Sequence, residues 1–449
     1  MACQTRSMTE GPLARQILFF SLPLVMSNVL QVLFNMSDVA VVGRFAGAEA
    51  LGAVGSTALL VALFTGLAIG MGTGINITTA RFIGARHEQD VRETVHTSAL
   101  LSLLLGLLLL GVGVIGARPI LMLMRTKEEL LDDAVRYLRL YFLGMPGLAV
   151  FNFGSAVLSA SGDTRHPLRI LTAAGVLNVA LNLLFVIVFG MGASGVGAAS
   201  AVSQTAAAVL ITVFLLRRDD LLRLDIHALR LTRNKVAAVL PLGLSAGAQN
   251  AIFYLANLFV QAGVNSFPTV MVEGTAAATN ADGLVYDVMA AFYTACSSFI
   301  SQNYGAGKRS RILKSYLICL GYSLGIGCAM GWLLVAFGPQ FLSLFTTDRD
   351  VIQAGMERLT VMGLSYGFSA FMDCTIAGSR GLGRSVAPTV MVILGSCVFR
   401  VIWIYTVFAW YGTIRSLFLL YIVSWAVTAA GELAYFIPCY RRQMRALAG

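Results

Sequence analysis

Long stretches without a charged residue limit the fold of this chain more than any other feature. Residues 52–80, 170–216, 236–272 and 315–347 contain no Asp, Glu, Lys or Arg. Each stretch exceeds the roughly 20 residues that a helix needs to cross about 30 Å of hydrocarbon, and several can hold two crossings. Hydrophobic residues form 57% of the 449 positions and charged residues only 12%, unlike a soluble globular chain. The sequence therefore predicts an all-α integral membrane protein.

Twelve crossings are the simplest interpretation of the apolar pattern. The predicted limits are 17–42, 50–79, 95–117, 134–158, 168–190, 194–216, 236–262, 274–300, 313–336, 355–378, 386–408 and 414–438. If both termini lie inside, the inner side holds 22 of the 32 Lys and Arg residues and the outer side holds six. This bias predicts that both termini are cytoplasmic, because positive residues accumulate on that side.

The chain also repeats itself. One displacement along the sequence superposes Gly162 on Gly383, and a slightly shorter one superposes Pro23 on Pro241. Because six spans per half is an even number, both halves enter from the same face, and we expect a pseudo-twofold axis along the membrane normal with a central cleft. The predicted domains are an N-lobe, an inter-lobe linker on the cytoplasmic side and a C-lobe, at 1–216, 217–235 and 236–449.

The basic linker alternates charged and apolar residues. This pattern is compatible with an amphipathic helix on the inner leaflet, in contact with lipid, or with a solvated connector. The net charge of +10 is explained by basic residues between apolar segments, where they set orientation. Nucleic acid is therefore not a predicted partner.

A carboxylate near the outer end of the first span, Asp38, is the first candidate functional residue. A charge inside a span usually faces a bundle interior or a water-filled cavity; the alternative is a residue that reaches the headgroups. Asn178 and Asn182 are four residues apart and share a helical face, and their amide oxygens suit a hard cation such as Na⁺ or a protonated carboxyl. We expect these three residues to form an ion site, with Asn35 and Ser200 as further ligands. Each amide alternatively makes only an interhelical hydrogen bond.

No cofactor is predicted. The four histidines lie in loops or at span ends, which argues against zinc and haem. The segment NYGAGKRS at 303–310 lacks the first glycine and the Ser or Thr of a phosphate-binding loop. Clustered catalytic groups are also missing. The sequence therefore predicts a transporter driven by an ion gradient, not an enzyme.

Unusual charges and aromatic residues are concentrated in the second half. Asp287 and Arg400 either neutralise each other as a structural pair, or Asp287 serves a substrate or a proton. Asp373 and Glu432 are predicted to lie nearer the inner surface, in contact with water. Aromatic side chains suit flat organic cations, and the candidate cleft residues are Gln31, Gln249, Phe253, Tyr254, Asp287, Tyr293, Tyr366 and Arg400.

Several of these segments together resemble multidrug and toxic compound extrusion (MATE) transporters, of the prokaryotic DinF-like branch, over about residues 12 to 440. The residues that carry the resemblance are the pattern Pro23, Gln31, Asp38 and Gly43, the loop SGDTRHP at 161–167, the pair Asn178 and Asn182, and the segment RGLG at 380–383. The resemblance implies two six-helix lobes in a V-shaped arrangement, and export of organic, often cationic, compounds by alternating access, driven by Na⁺ or H⁺. It also implies that Asp38 is the ion-coupling carboxylate.

Two departures from the family pattern leave the coupling ion open. Asn182 stands where archaeal and DinF-like members often carry a second carboxylate, and Gln249 stands where NorM-like members carry a glutamate. We expect the protein to lie in a prokaryotic inner membrane. We expect a monomer, because each chain contains its own cleft. The alternative is a flippase for lipid-linked oligosaccharides or lipids from the same superfamily, which favours a strongly basic cavity, whereas the spans offer mainly Arg400.

Overall fold

The computed structural model describes residues 8–447, and every regular element in that stretch is a helix. The first half contains α1 (Leu13–Phe45), α2 (Gly47–Gly84), α3 (Glu88–Leu123), α4 (Glu128–Leu143), α5 (Met145–Ala160), α6 (Arg165–Leu183), a π-helical turn (Leu184–Val188) and α7 (Ala193–Leu216). The second half contains α8 (Arg233–Val264), α9 (Thr269–Gly305), α10 (Arg309–Ala336), α11 (Gly338–Leu342), α12 (Arg349–Gly363), α13 (Tyr366–Gly381), α14 (Val386–Val392), α15 (Phe399–Trp403), α16 (Ala409–Tyr411) and α17 (Ile414–Ala446). Two further π-helical turns, Ile393–Val398 and Ile404–Phe408, flank α15.

Helices occupy all twelve predicted positions. Within the described residues, ten helices are long and apolar enough to cross a membrane. The count is eleven if α4 and α5, which together pass the same test and bend by 41°, form one span. The tenth predicted span, 355–378, falls on α12 and α13, which are separated by Leu364 and Ser365. This span is more polar than the others because it carries charged residues such as Arg358 and Asp373, so composition alone does not mark it as a crossing.

Contacts divide the described chain into two compact units. Unit 1 comprises Met26–Ala251, and unit 2 comprises Met8–Val25 together with the chain from Ile252 onwards. The beginning of α1 therefore packs in unit 2, and the larger part of α8 packs in unit 1. The contact units thus differ from a simple division of the chain into two halves, because each unit includes the start of a helix whose end lies in the other.

Close backbone contacts hold α2 against α8 in unit 1. A β-carbon on Gly70 would lie 2.2 Å from the backbone nitrogen of Gly247, and one on Gly74 would lie 2.5 Å from that of Gly243. Glycine is required at these positions because any side chain would separate the two backbones, as at other small-residue contacts between membrane helices. In unit 2 a β-carbon on Gly331 would lie 2.1 Å from the carbonyl oxygen of Gly363, and α10 packs against α12 in the same way.

The linker packs against the start of α3. The backbone N–H of Asp225 donates to Nε2 of His96 at 3.0 Å, and the Thr97 hydroxyl donates to the carbonyl oxygen of Arg230 at 3.1 Å. Between the end of α7 at Leu216 and the start of α8 at Arg233, only Ile226–Ala228 is helical, as one 3₁₀ turn. The alternative of an amphipathic helix over 217–235 is therefore wrong. A helix would pair the N–H and C=O groups of the linker backbone with one another, whereas a non-helical chain leaves them without such partners. Side chains of α3 form hydrogen bonds with some of these groups.

The internal repeat is visible in the backbone. Gly162 and Gly383 both have positive φ, at 90° and 80°, and they are the two glycines that the sequence repeat superposes. The π-helical turns Leu184–Val188 and Ile404–Phe408 are related by nearly the same displacement. Both the glycine turns and the wider helical turns therefore recur at equivalent places in the two halves.

Candidate functional site

A carboxylate on α1 meets two amides on α6. Nδ2 of Asn182 donates to Oδ1 of Asp38 at 2.5 Å and to Oδ1 of Asn178 at 3.2 Å. The two amides lie on one face of α6 because they are four residues apart. The hydroxyl of Ser200 on α7 also interacts with the Asp38 carboxylate. Asn178, Asn182 and Ser200 are buried, and Asp38 is half-buried.

The amide of Asn182 leaves one strong acceptor unused. Its Oδ1 atom is buried and has no hydrogen-bond partner within residues 8–447. A buried carbonyl oxygen without a partner destabilises the protein by about 1–3 kcal/mol. Together with the Asp38 carboxylate, the Asn178 oxygen and the Ser200 hydroxyl, it forms a set of hard oxygen donors that suits Na⁺, or the hydrogen-bonding surroundings of a protonated carboxyl. The chemistry of the donor set therefore fits either cation.

A glycine lets α1 approach α6 at this site. A β-carbon on Gly175 would lie 1.8 Å from the ring of Phe34, so the ring occupies the space above the glycine. Phe34 is four residues before Asp38 on α1, and Gly175 is three residues before Asn178 on α6. The contact thus fixes the separation of the two helices one turn from the carboxylate.

Two tyrosines near the carboxylate were not predicted from the sequence. Tyr137 and Tyr141 on α4 lie within electrostatic range of Asp38, and their ring centroids are 6.0 Å apart. Their spacing of four residues, RYLRLYF at 136–142, is the only sequence signal for a shared face. Asn35, predicted as a further ligand, is exposed on α1, as is Gln31, and Asn35 is not a hydrogen-bond partner of Asp38.

In unit 2 the structural pair considered between Asp287 and Arg400 is not formed. Nη1 of Arg400 instead donates to Oδ1 of Asn257 at 3.0 Å, and the guanidinium lies 4.5 Å from the ring centroid of Tyr421 and 5.5 Å from that of Phe253. Asp287 is half-buried on α9. Position along a span gives the depth of a residue but not the direction of its side chain, which explains the error.

The buried ion pair of unit 2 involves other residues. Nε of Arg358 on α12 donates to Oδ2 of Asp282 on α9 at 2.7 Å, and the Tyr366 hydroxyl donates to Oδ1 of the same carboxylate at 2.5 Å. Tyr366, a candidate cleft residue, is only 2% exposed. Its hydroxyl therefore belongs to an interior network that joins α9, α12 and α13.

Two carboxyl groups expected in contact with water are buried. Asp373 is 6% exposed and accepts a hydrogen bond from Ser369 at 3.1 Å, whereas Glu432 is fully buried. Both carboxyl oxygens of Glu432 lack a hydrogen-bond partner within the described chain. The prediction of solvated side chains is wrong because α13 and α17 pack closely together, and neither residue faces outward.

The other candidate cleft residues differ in accessibility. Tyr254 on α8 is 40% exposed, and Phe253 is half-buried. Tyr293 on α9 packs its ring 6.3 Å from that of Tyr286, and its hydroxyl is buried without a hydrogen-bond partner in the part of the chain that the structure describes. Gln249 is 6% exposed. Of these residues, Tyr254 offers the largest accessible aromatic surface.

Helices that span a membrane, a duplicated architecture and buried oxygen donors around one carboxylate define a multi-pass membrane transporter. The MatE family profile matches residues 23–184 and 246–406, one match in each half. The chain therefore belongs to the MatE family, and the predicted MATE fold, the transporter class and the absence of enzyme activity are confirmed.

Relatives and a solved structure agree with this assignment. The probable multidrug resistance protein YpnP of Bacillus subtilis is 28% identical over 408 residues, which cover 90% of each chain. The FAD transporter of Shewanella oneidensis is 27% identical over 367 residues, 80% of each chain. A crystal structure of MATE in the bent conformation superposes with a TM-score of 0.92 at 21% identity, with all of both chains covered; at this identity it shows the fold alone.

Proposed function

We propose that this chain exports small organic compounds, often cationic ones, and that a cation bound at Asp38 drives the export as it moves inward. The multidrug resistance names of its relatives support the type of substrate. The observation that carries the proposal is the unpartnered, buried Oδ1 of Asn182 beside a carboxylate that already accepts a hydrogen bond from the same amide.

Binding of a cation changes the hydrogen bonds of this site. When the carboxylate is neutralised by Na⁺ or H⁺, Asp38 becomes a weaker acceptor for the Asn182 amide, and the unpartnered oxygen gains a cation or an acidic proton to bind. The cation shifts the protein between two conformations only if its affinity differs between them. A site made from α1 and α6 supports such a difference, because a small change in helix separation alters the distances among its oxygen atoms.

The two candidate ions use the site differently. Na⁺ takes oxygen ligands from Asp38, Asn178, Asn182 and Ser200, whereas a proton resides on Asp38 alone and needs one acceptor. Replacement of the Asn178 oxygen therefore separates the two cases. Loss of that oxygen weakens Na⁺ binding, but it leaves proton binding at Asp38 in place.

The remaining parts of the proposal concern cell location and assembly. We place the protein in a prokaryotic inner membrane as a monomer, with both termini cytoplasmic and with lobes 1–216 and 236–449 joined by 217–235. The name of the Shewanella relative adds FAD to the compounds that a substrate panel has to contain. Labelling of single cysteines from either side of the membrane tests the orientation.

The test is transport by purified protein in liposomes, with a Na⁺ gradient and a pH gradient imposed separately. Ethidium export by the wild type is compared with export by Asp38→Asn, Asn182→Leu and Asn178→Leu, and exposed Asp132→Asn serves as control. We expect Asp38→Asn to abolish gradient-driven export under both gradients while ethidium still binds. Asn178→Leu is expected to reduce only Na⁺-driven export.

The proposal fails if Asp38→Asn retains full export under the gradient that drives the wild type. It also fails if the wild type exports at the same rate without any gradient, since the cation then does no work.

A further inference from the structure

Arg400 is a buried charge that the Asp38 site does not use. Its side chain is 2% exposed, and among the described residues its guanidinium makes a single hydrogen bond, from Nη1 to Oδ1 of Asn257. The Nε atom is buried without a hydrogen-bond partner within residues 8–447. A buried charge without a counter-charge is costly, and the fork of donors on a guanidinium fits a carboxylate or phosphate. Arg400 therefore retains the capacity to bind an anion.

The surroundings of this guanidinium are positively charged and aromatic. Arg358 lies 5.3 Å from the ring centroid of Tyr421, and Arg400 lies 4.5 Å from the same centroid. Asp282 forms an ion pair with Arg358 but not with Arg400. Two guanidiniums thus contact the ring of Tyr421. The nearby Asp282 carboxylate already accepts hydrogen bonds from Arg358 and Tyr366.

Other carboxylates of unit 2 do not take the place of the missing counter-charge. Asp287 forms no ion pair with Arg400. Asp373 lies within electrostatic range of Arg400, but it is hydrogen-bonded to Ser369, and its larger electrostatic interaction is with Arg380. Within the described residues, no carboxylate lies in ion-pair contact with Arg400.

The internal repeat relates Tyr421, which contacts this guanidinium, to a residue of the cation site in the first half. The displacement that superposes Gly383 on Gly162 carries Arg400 onto Val179, next to Asn178, and carries Tyr421 onto Ser200. Val179 is not a residue of the cation site, whereas Ser200 is. The phenol of Tyr421 therefore stands where the first half has a hydroxyl beside Asp38, and Arg400 lies one position along the helix from the equivalent of Asn178.

The partner that covers Arg400 is accessible. Asn257 on α8 is exposed, and its Oδ1 atom accepts from Arg400 and, at 3.4 Å, from the Tyr421 hydroxyl. One oxygen thus receives donors from two buried groups, which is an arrangement that an anionic oxygen satisfies better than a neutral amide. Phe253 and Tyr254 lie one helical turn away from Asn257 and present aromatic surface beside it.

We propose that Arg400 binds the carboxylate or phosphate group of an aromatic organic anion, and that the aromatic part of the compound stacks on Phe253 and Tyr254. This inference rests on the proposed export function, to which it adds a substrate class. The anionic oxygen replaces Asn257 as the acceptor from Nη1 and the Tyr421 hydroxyl, and it also accepts from Nε. Aromatic anions and zwitterions are therefore substrates of this protein in addition to aromatic cations.

Binding is tested on the intact protein in phosphatidylcholine nanodiscs. Fluorescein, an aromatic carboxylate, is the probe, its binding is measured by fluorescence anisotropy, and ethidium is the cationic comparison. We expect Arg400→Met to weaken fluorescein binding by about tenfold to a hundredfold, the loss of a charged hydrogen bond, with ethidium binding unchanged. Arg400→Lys should restore part of the affinity, because lysine keeps the charge and lacks the fork. The exposed Arg415→Met is the matched control and should bind fluorescein like the wild type.

Competition identifies the source of the anion. Sodium chloride and inorganic phosphate are titrated against bound fluorescein, and the measurement is repeated in nanodiscs that contain phosphatidylglycerol. We expect displacement only at concentrations far above that of the dye. If chloride, phosphate or the lipid displaces the dye at comparable concentration, the site serves an inorganic ion or a headgroup, and the substrate assignment is wrong.

If Arg400→Met does not fold, two other results still test the inference. Absence of fluorescein binding to the wild type overturns it. Full fluorescein affinity in Tyr254→Ala also overturns it, because this variant removes an exposed ring on which the dye is proposed to stack. These readouts need no gradient. If the wild type does not bind fluorescein but exports ethidium under a gradient, this inference is wrong and the proposed function at Asp38 stands. If the wild type binds fluorescein but exports no compound under either gradient, the proposed function is wrong and the anion site stands.

Discussion

At the scale of single residues, unit 2 contains two buried arginines in contrasting surroundings. Arg358 forms an ion pair with Asp282, and the Tyr366 hydroxyl binds the remaining carboxylate oxygen. Arg400 contacts a neutral oxygen and aromatic rings, and within the described residues it forms no ion pair. The charge of Arg358 is balanced within the protein, so its role is structural. Arg400 is the residue that we propose binds an anionic ligand.

The structural role of the Asp282 pair predicts a large loss of stability when its charge is removed. Asp282→Asn leaves the buried Arg358 guanidinium without its counter-charge, and removal of one partner of a buried pair costs about 3–5 kcal/mol. We expect a markedly lower midpoint of thermal unfolding in detergent, measured by intrinsic fluorescence. The control is Arg415→Gln, which breaks the exposed pair with Glu357; exposed pairs contribute little to stability. Equal midpoints for the two variants would contradict the prediction.

The sequence predicted the Asp38 site better than the charges of the second half. Asn178 and Asn182 share a face at any helix rotation because of their spacing, so their proximity to each other follows from the sequence alone. The partner of Arg400 depends on the rotation of α8 and α15 about their axes, which the apolar pattern of a membrane span does not define. The prediction that Glu432 contacts water was wrong for the same reason. The sequence indicates the depth of this residue in the membrane but not that its side chain points into the protein interior.

At the scale of helices, α1 and α6 are positioned by the fit of the Phe34 ring over Gly175. The boundaries of both helices were close to the predicted limits, because long uncharged runs mark crossings directly. The contact between them was not predicted. A glycine within a helix indicates close packing, but it does not identify the helix that approaches.

This contact predicts that a larger side chain at position 175 disturbs the ion site without removing any of its residues. Gly175→Leu displaces the Phe34 ring and moves α1 away from α6, which lengthens the hydrogen bond from Asn182 to Asp38. We expect gradient-driven ethidium export to require about tenfold more of the driving ion, the loss of one hydrogen bond to a charged group. The control is Gly111→Leu on α3, where, apart from the adjacent backbone of α3 itself, no atom of the described residues lies within 4 Å of the added β-carbon. An unchanged ion requirement in Gly175→Leu would show that the site tolerates helix separation.

At the scale of the whole molecule, each unit holds the start of a helix from the other half of the sequence. In unit 1, Lys235 at the start of α8 forms an ion pair with Asp90 on α3 and lies over the ring of Phe82. In unit 2, Arg311 on α10 donates to the backbone carbonyl oxygens of Met8 and Gly11. The duplication was predictable from repeated glycines and prolines, but this exchange was not, since no local pattern records which unit a helix joins.

The exchange predicts that neither half of the chain is stable alone. Fragments 1–228 and 229–449, divided at the exposed 3₁₀ turn of the linker, each lack a segment that packs in their own unit. We expect both fragments to be degraded when expressed singly, and export to return when they are expressed together. An intact chain with a protease site at the same position is the control. Accumulation of either fragment as a folded, protease-resistant protein would contradict the prediction.

The placement of Met8–Val25 in unit 2 also sets the order in which the protein matures on the ribosome. These residues are synthesised before the rest of unit 2, yet the hydrophobic cluster that receives them includes Phe436 and is complete only when α17 has been translated. The first part of α1 therefore stays without some of its final neighbours until α17 has been made. Unit 1 has all its residues once Ala251 has been translated, so it can assemble while unit 2 is still being synthesised.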